Sequence, residues 1–265
     1  MIDLEPLKSF LLATGLSVVR ILAVFLVVPL FGQETLPGTV RTGVVLSIAF
    51  VIYPAVAPLI PPDGIPLVEL TALLFKEIVI GILFGFVFSL PFRVAEGAGF
   101  LIDNQRGTGM AAVFDPMAGG EVTPLAVLLL RMVIALFLAF GGFIVFFKAL
   151  FFSYEVYPVV SAFPVFSPAA PTAFLGLADK TMFLILVLTA PIMIGLFASE
   201  FGLGLVNRFA PALNVFFLAM PIKSAIAVLM LALMLPTLFD SFTSLFREEE
   251  GVVDFIRNVF AVPAP

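Results

Sequence analysis

The stretch "KEIVIGILFGFVFSLPFRVAEGAGFLIDNQRG", Lys76 to Gly107, decides the fold class. It belongs to an apolar run from Pro66 to about Ile102. Crossing about 30 Å of hydrocarbon takes roughly 20 helical residues, so the run is too long for one straight span. Pro91 lies inside it, and a proline removes an intrahelical bond and kinks or ends a helix. The run reads as one long helix broken near Leu90, or as a span followed by a shorter helix. Glu77, Gly81, Gly85, Ser89 and Arg93 recur at i+4 and are expected to share one face. Gly81-x-x-x-Gly85-x-x-x-Ser89 is a small-residue ridge that lets another helix come close.

Working outward, further apolar stretches run from about Ser9 to Phe31, Val40 to Ile60, Pro124 to Phe152, Thr181 to Val206 and Ala212 to Leu235. Only helices and closed barrels satisfy backbone polar groups in lipid, and these lengths are helical. The segment from Ser153 to Lys180 carries Pro158, Pro164, Pro168 and Pro171 and reads as an extramembrane or re-entrant connection. Ala198-x-x-x-Gly202 and Glu200-x-x-x-Gly204 repeat the small-residue device. Val252, Phe255, Ile256, Val259 and Phe260 give the tail the spacing of a short amphipathic helix, suited to a membrane surface or a partner. The fold class is all-α: a polytopic membrane-type protein with long kinked helices and helical hairpins.

Composition agrees. Of 265 residues, 62% are hydrophobic and 12% charged, and the mean hydropathy is +1.23. Soluble domains carry roughly 45–50% apolar and about 25% charged residues. Phe is frequent at 32, while Trp is absent and Tyr numbers 3, so the usual interfacial Trp/Tyr belts are thin. With no Cys and no His, disulfides, nearly every zinc site and His-based hydrolase triads are excluded. The net charge of −5 argues against nucleic acid as a partner. The acidic N-terminus and the long apolar run through Arg20 do not fit a cleavable signal peptide.

Charges stand where lipid is expected. Arg20 lies midway along the first apolar stretch, where a lipid-facing Arg costs a few kcal/mol at least. Lys76, Glu77, Arg93, Glu96, Arg131, Lys148, Glu200, Arg208 and Lys223 also lie in or beside apolar helices. Lys148 and Arg208 are placed to sit at helix ends. Arg20, and Glu77 with Arg93, point instead to helices that pack in a larger assembly or line a wet path.

The polar interruption "NQRGTGMAAVFDPMAGGE", Asn104 to Glu121, is the other unusual feature. Its glycines allow the backbone angles of a compact loop. Met110 and Met117 can repack against varied surfaces. Arg106, Asp115 and Glu121 can form bonds within the loop or to a wall. No catalytic constellation emerges. There is no phosphate loop, and Gly97-Ala98-Gly99 does not continue into a dinucleotide fingerprint. An intramembrane aspartyl pair of Asp103 and Asp115 fails because both lie at or in the polar loop. A proton-coupled secondary transporter using Glu77, Glu96 or Glu200 is the alternative, but no paired internal repeat supports it. No cofactor and no enzyme activity are expected.

The chain resembles the T subunit of the bacterial type III secretion export apparatus, the SctT/SpaR family, whose flagellar counterpart is FliR. The resemblance rests on Arg20, Pro29 to Gly32, Pro37 and Arg41, on Glu77 with Gly81 and Gly85, and on "EGAGFLIDNQRG". It continues through Asp115-Pro116 with Gly119, Gly141-Gly142, Ser153 to Pro158, and "APALNVFFLAMPIKS" from Ala210 to Ser224. Asn104-Gln105-Arg106-Gly107 favours the injectisome branch over the flagellar one. The resemblance implies one T subunit joined to five R and four S subunits in the bacterial inner membrane, partly projecting to the periplasmic side. The U and V subunits and exported unfolded proteins are the further partners it implies. It also implies one T-subunit domain over 1–265: N-terminal helices 1–103, a pore or plug loop 104–123, C-terminal helices 124–246 and a tail 247–265. The loop residues it points to are Asn104, Gln105, Arg106, Gly107, Met110, Phe114, Asp115, Pro116, Met117, Gly119 and Glu121. Arg20, Arg41, Glu77, Gly81, Gly85, Arg93, Glu96, Glu200 and Lys223 are the buried or subunit-packing positions.

Overall fold

The computed structural model describes residues 5–32, 35–62, 64–107, 123–161, 167–210 and 215–247. Every regular element among them is helical: α1 (Glu5–Val27), α2 (Gly38–Val56), α3 (Leu67–Arg106), α4 (Pro124–Ala139), α5 (Gly142–Val156), α6 (Ala170–Phe209) and α7 (Val215–Arg247). Short 3-10 turns at Pro29–Phe31 and Ala57–Leu59 follow α1 and α2. Five helices, α1, α2, α3, α6 and α7, are long and apolar enough to cross a membrane. The expected polytopic all-α class is the observed one.

Element limits differ from expectation in several places. The first helix stops at Val27, because Pro29 disfavours helical backbone at Val28, which is extended at φ −82° and ψ 117°. Arg20 therefore lies in the second half of its helix. The stretch from Pro124 to Phe152, read as one helix, is two. Gly141 takes φ +76° between them, a conformation that side-chain-bearing residues disfavour. The helix expected from Thr181 begins at Ala170, with Pro171 in its first turn, where a missing N–H costs nothing. The last helix runs on to Arg247, through Pro221 and Pro236. In the decisive run the break expected near Leu90 does not occur: α3 continues as one helix with Pro91 inside it, since a proline removes only one intrahelical bond.

The chain forms two compact units, whose boundaries fall at Leu90/Pro91, Phe140/Gly141 and Leu175/Gly176. In the first, α1 packs on α2 and on the N-terminal half of α3. Phe146 is fully buried and meets Phe25, Phe31, Phe84 and Phe88 within 6.5 Å. Four of the many phenylalanines thus build an aromatic core around a fifth, and such pairs add to area burial. The ridge predicted on α3 packs on α1. A Cβ at Gly81 would stand 2.6 Å from Ala23 Cβ and 2.7 Å from the Arg20 carbonyl oxygen, and one at Gly85 2.9 Å from Val27 Cβ. In the second unit, Phe137 meets Phe92 at 5.3 Å and Phe246 at 5.5 Å. There the C-terminal half of α3 touches α4 so closely that a Cβ at Gly99 would meet Ala126 Cα at 2.3 Å. Gly202 and Gly204, the later ridge, face open space within the chain.

Candidate functional site

Two polar clusters stand out in this apolar chain. The first unit holds a buried charge cluster. Arg20 and Glu77 are both 0% exposed and meet bidentately: Arg20 Nε donates to Glu77 Oε2 at 2.6 Å and Nη2 to Oε1 at 3.0 Å. The rest of the guanidinium is also used. Nη1 donates to the Ser153 carbonyl at 2.8 Å and Oγ at 3.3 Å, and Nη2 to the Tyr157 carbonyl at 2.8 Å. The Tyr154 ring lies 4.0 Å from the guanidinium carbon, a cation–π contact, and its hydroxyl donates to the Ser17 carbonyl.

Lys76, 1% exposed, completes the cluster 3.2 Å from Glu77 Oε1. Its ammonium donates to the carbonyls of Pro158, Val159 and Ser161 at 3.0, 2.6 and 3.1 Å. Two cations thus share one carboxylate. The residual positive charge faces carbonyls at and just beyond the C-terminal end of α5, where unpaired backbone oxygens carry partial negative charge. Every polar partner of the Arg20 guanidinium in this chain is thus an intrachain one, and the residue is fully buried. Both Glu77 oxygens are therefore engaged by cations. Arg93 leaves the shared face. Each i+4 step drifts about 40° on a helix of 3.6 residues per turn, so four steps carry Arg93 about 160° round. It pairs with Glu96 at 3.2 Å, the two side chains 52% and 43% exposed. Arg41 is half-buried near the start of α2, and Arg131 and Lys148 are exposed.

The second unit holds a cluster at the ends of the polar interruption. α3 stops at Arg106, and Gly107 follows at φ +92°, the usual glycine stop after a helix. Asp103, fully buried, accepts from the backbone N–H of Leu125 at 2.8 Å and of Ala126 at 3.4 Å. These amides belong to the first turn of α4, whose own N-cap residue, Thr123, makes no side-chain cap bond. The other Asp103 oxygen lies 2.6 Å from Arg106 Nη2. Beside it, Gln105 Nε2 donates to Glu200 Oε2 at 3.1 Å. Lys223 Nζ lies 3.1 Å from the same oxygen and 3.4 Å from the Gln105 carbonyl. Asn104 is exposed. Met110, Phe114, Asp115, Pro116, Met117, Gly119 and Glu121 lie outside the described residues, as does the amphipathic helix expected in the tail.

Sequence reasoning thus set Glu200 and Lys223 down separately, and the structure brings them together at Gln105. It missed the capping role of Asp103. The only signal was a carboxylate one helical turn before Gly107. No group of three or more metal-binding side chains occurs among the described residues.

Five long apolar helices with a buried ion-paired core define a polytopic, all-α membrane-type protein. The chain belongs to the family described as "Bacterial export proteins, family 1", which matches residues 11–249. It is 42% identical to Yop proteins translocation protein T of Yersinia pestis, over 84% of this chain and 85% of that one. It is 29% identical to surface presentation of antigens protein SpaR of Salmonella typhimurium, over 91% and 89%. It is 28% identical to flagellar biosynthetic protein FliR of Bacillus subtilis, over 98% and 97%. The resemblance read from the sequence is therefore a family membership, in the type III secretion export proteins. A secondary transporter finds no support among these relatives.

Proposed function

We propose that the chain is a structural and gating subunit of a type III protein export gate, with no enzymatic step of its own. It works in the bacterial inner membrane with R, S, U and V subunits, one copy to five R and four S, partly projecting to the periplasmic side. The 104–123 segment acts as the plug that closes the pore to unfolded substrates at rest. The injectisome branch is favoured by the 42% identity to the Yop translocation protein, whereas the SpaR and FliR relatives, all at 28–32%, stand level. The observation that carries the plug reading is the fixed base of this segment. It leaves α3 beside Asp103 and re-enters at α4, whose first amides Asp103 holds.

Exposed apolar side chains along α6 and α7, among them Phe183, Ile194, Phe201, Phe217, Leu229 and Leu233, support a chain covered by lipid and by other subunits. Deleting Thr108–Gly120 is expected to leave the complex assembled but let ions through the resting membrane. An assembled deletion complex that holds its ion gradient would overturn the plug reading.

A further inference from the structure

We infer that Asp103 is the positioning residue of the proposed gate: its buried carboxylate caps α4 from α3 and joins the two ends of the polar segment at one fixed point. This rests on the plug reading above. Three observations carry it. First, the cap is supplied in trans. Thr123 stands at the N-cap with a preferred residue type and makes no side-chain cap bond, while Asp103 reaches Leu125 N and Ala126 N from the other helix. Second, the carboxylate is held on both sides. The positive end of the α4 dipole lies against one oxygen and Arg106 against the other. Third, the helices touch through backbone at the same level, because Gly99 has no Cβ to hold Ala126 away.

The neighbouring Gln105–Glu200–Lys223 contacts are of a different kind. Glu200 is 54% exposed and Lys223 13%, so solvent screens these contacts more than the fully buried Asp103 ones. The two clusters divide the work at the base of the segment. The Asp103 staple holds the two stems together, while the weaker contacts to α6 and α7 can break and re-form.

The test uses assembled complexes and reads ion leakage through the resting membrane, normalised to complex recovered. Asp103→Ala is expected to raise leakage several-fold. Asp103→Asn keeps an acceptor for the α4 amides without the charge and is expected to leak less. Adding Thr123→Asp to Asp103→Ala supplies a cap from α4 itself while leaving the stems unjoined, so this double variant is expected to leak like Asp103→Ala. A double variant as tight as the parent overturns the inference, because Asp103 would then be only a helix cap. Assembled but tight Asp103→Ala complexes overturn it as well. If Asp103→Ala does not assemble, Arg106→Gln, which spares the cap, and Asp103→Asn carry the test, and tight complexes from both overturn it. The Thr108–Gly120 deletion separates the two readings. A leaky deletion with a tight Asp103→Ala sinks the staple alone, whereas a tight deletion sinks the plug reading.

Discussion

Arg20→Leu is expected to lower the stability of the chain itself by about 3–5 kcal/mol, the usual cost of leaving one partner of a buried ion pair alone. The substitution strips Glu77 of its bidentate partner and leaves the Ser153 and Tyr157 carbonyls without their donor. Lys76 remains 3.2 Å from Glu77, but its ammonium also serves the Pro158, Val159 and Ser161 carbonyls and cannot replace a guanidinium fork. Because every bond of Arg20 lies within one chain, the loss is expected in the isolated protein as well as in a complex. The chain has no Trp, so circular dichroism during heating in mild detergent is the suitable measurement. Arg20→Leu combined with Glu77→Leu removes both charges and is expected to recover part of the loss, since well-packed apolar residues often replace a buried pair without cost. Arg93→Leu serves as a control: its pair is half-exposed and contributes about 0–1 kcal/mol. An Arg20→Leu protein that melts like its parent, yet fails only in assembly, would return Arg20 to a partner-facing role.

What could be read in advance divides along physical lines. Helix existence was legible because twenty apolar residues in lipid have few structural options. Helix limits were less so. The connection was carried past Pro171 and the last helix was ended before Pro236, yet a first-turn proline is tolerated, and in a membrane environment neighbouring groups can re-satisfy freed carbonyls. Gly141-Gly142 was visible as a motif, but nothing local says that Gly141 adopts positive φ. The charges were legible as anomalies and not as pairs. Arg20 and Glu77 lie 57 positions apart, and only tertiary packing of the Gly81/Gly85 ridge on α1 brings them together. Arg93 went astray because an i+4 repeat is not a face once it runs past two or three turns. Asp103 was weighed as a catalytic carboxylate because sequence shows a side chain and not the amides that another helix turns toward it.

Gly99 carries the second large expectation, and it binds packing to function. An alanine Cβ there would lie 2.3 Å from Ala126 Cα, 2.4 Å from Ala126 N and 2.6 Å from the Leu125 carbonyl carbon. All three are backbone atoms, so no rotamer change relieves the overlap; α3 and α4 must move apart. Overpacking of this kind typically costs about 1–3 kcal/mol. Gly202→Ala is the matching control, since nothing lies within 4 Å of its Cβ and alanine gains about 1 kcal/mol over glycine in a helix. In the isolated chain Gly99→Ala should therefore melt earlier and Gly202→Ala no earlier than the parent. The displaced atoms include Ala126 N, which Asp103 holds. Separating the helices by a few tenths of an ångström weakens the cap bonds, already 2.8 and 3.4 Å long. Gly99→Ala complexes are then expected to leak as Asp103→Ala complexes do, although no polar group has been touched. Equal melting of Gly99→Ala and parent would mean that the helices can part without loss, and a stem junction that parts freely could not anchor a plug.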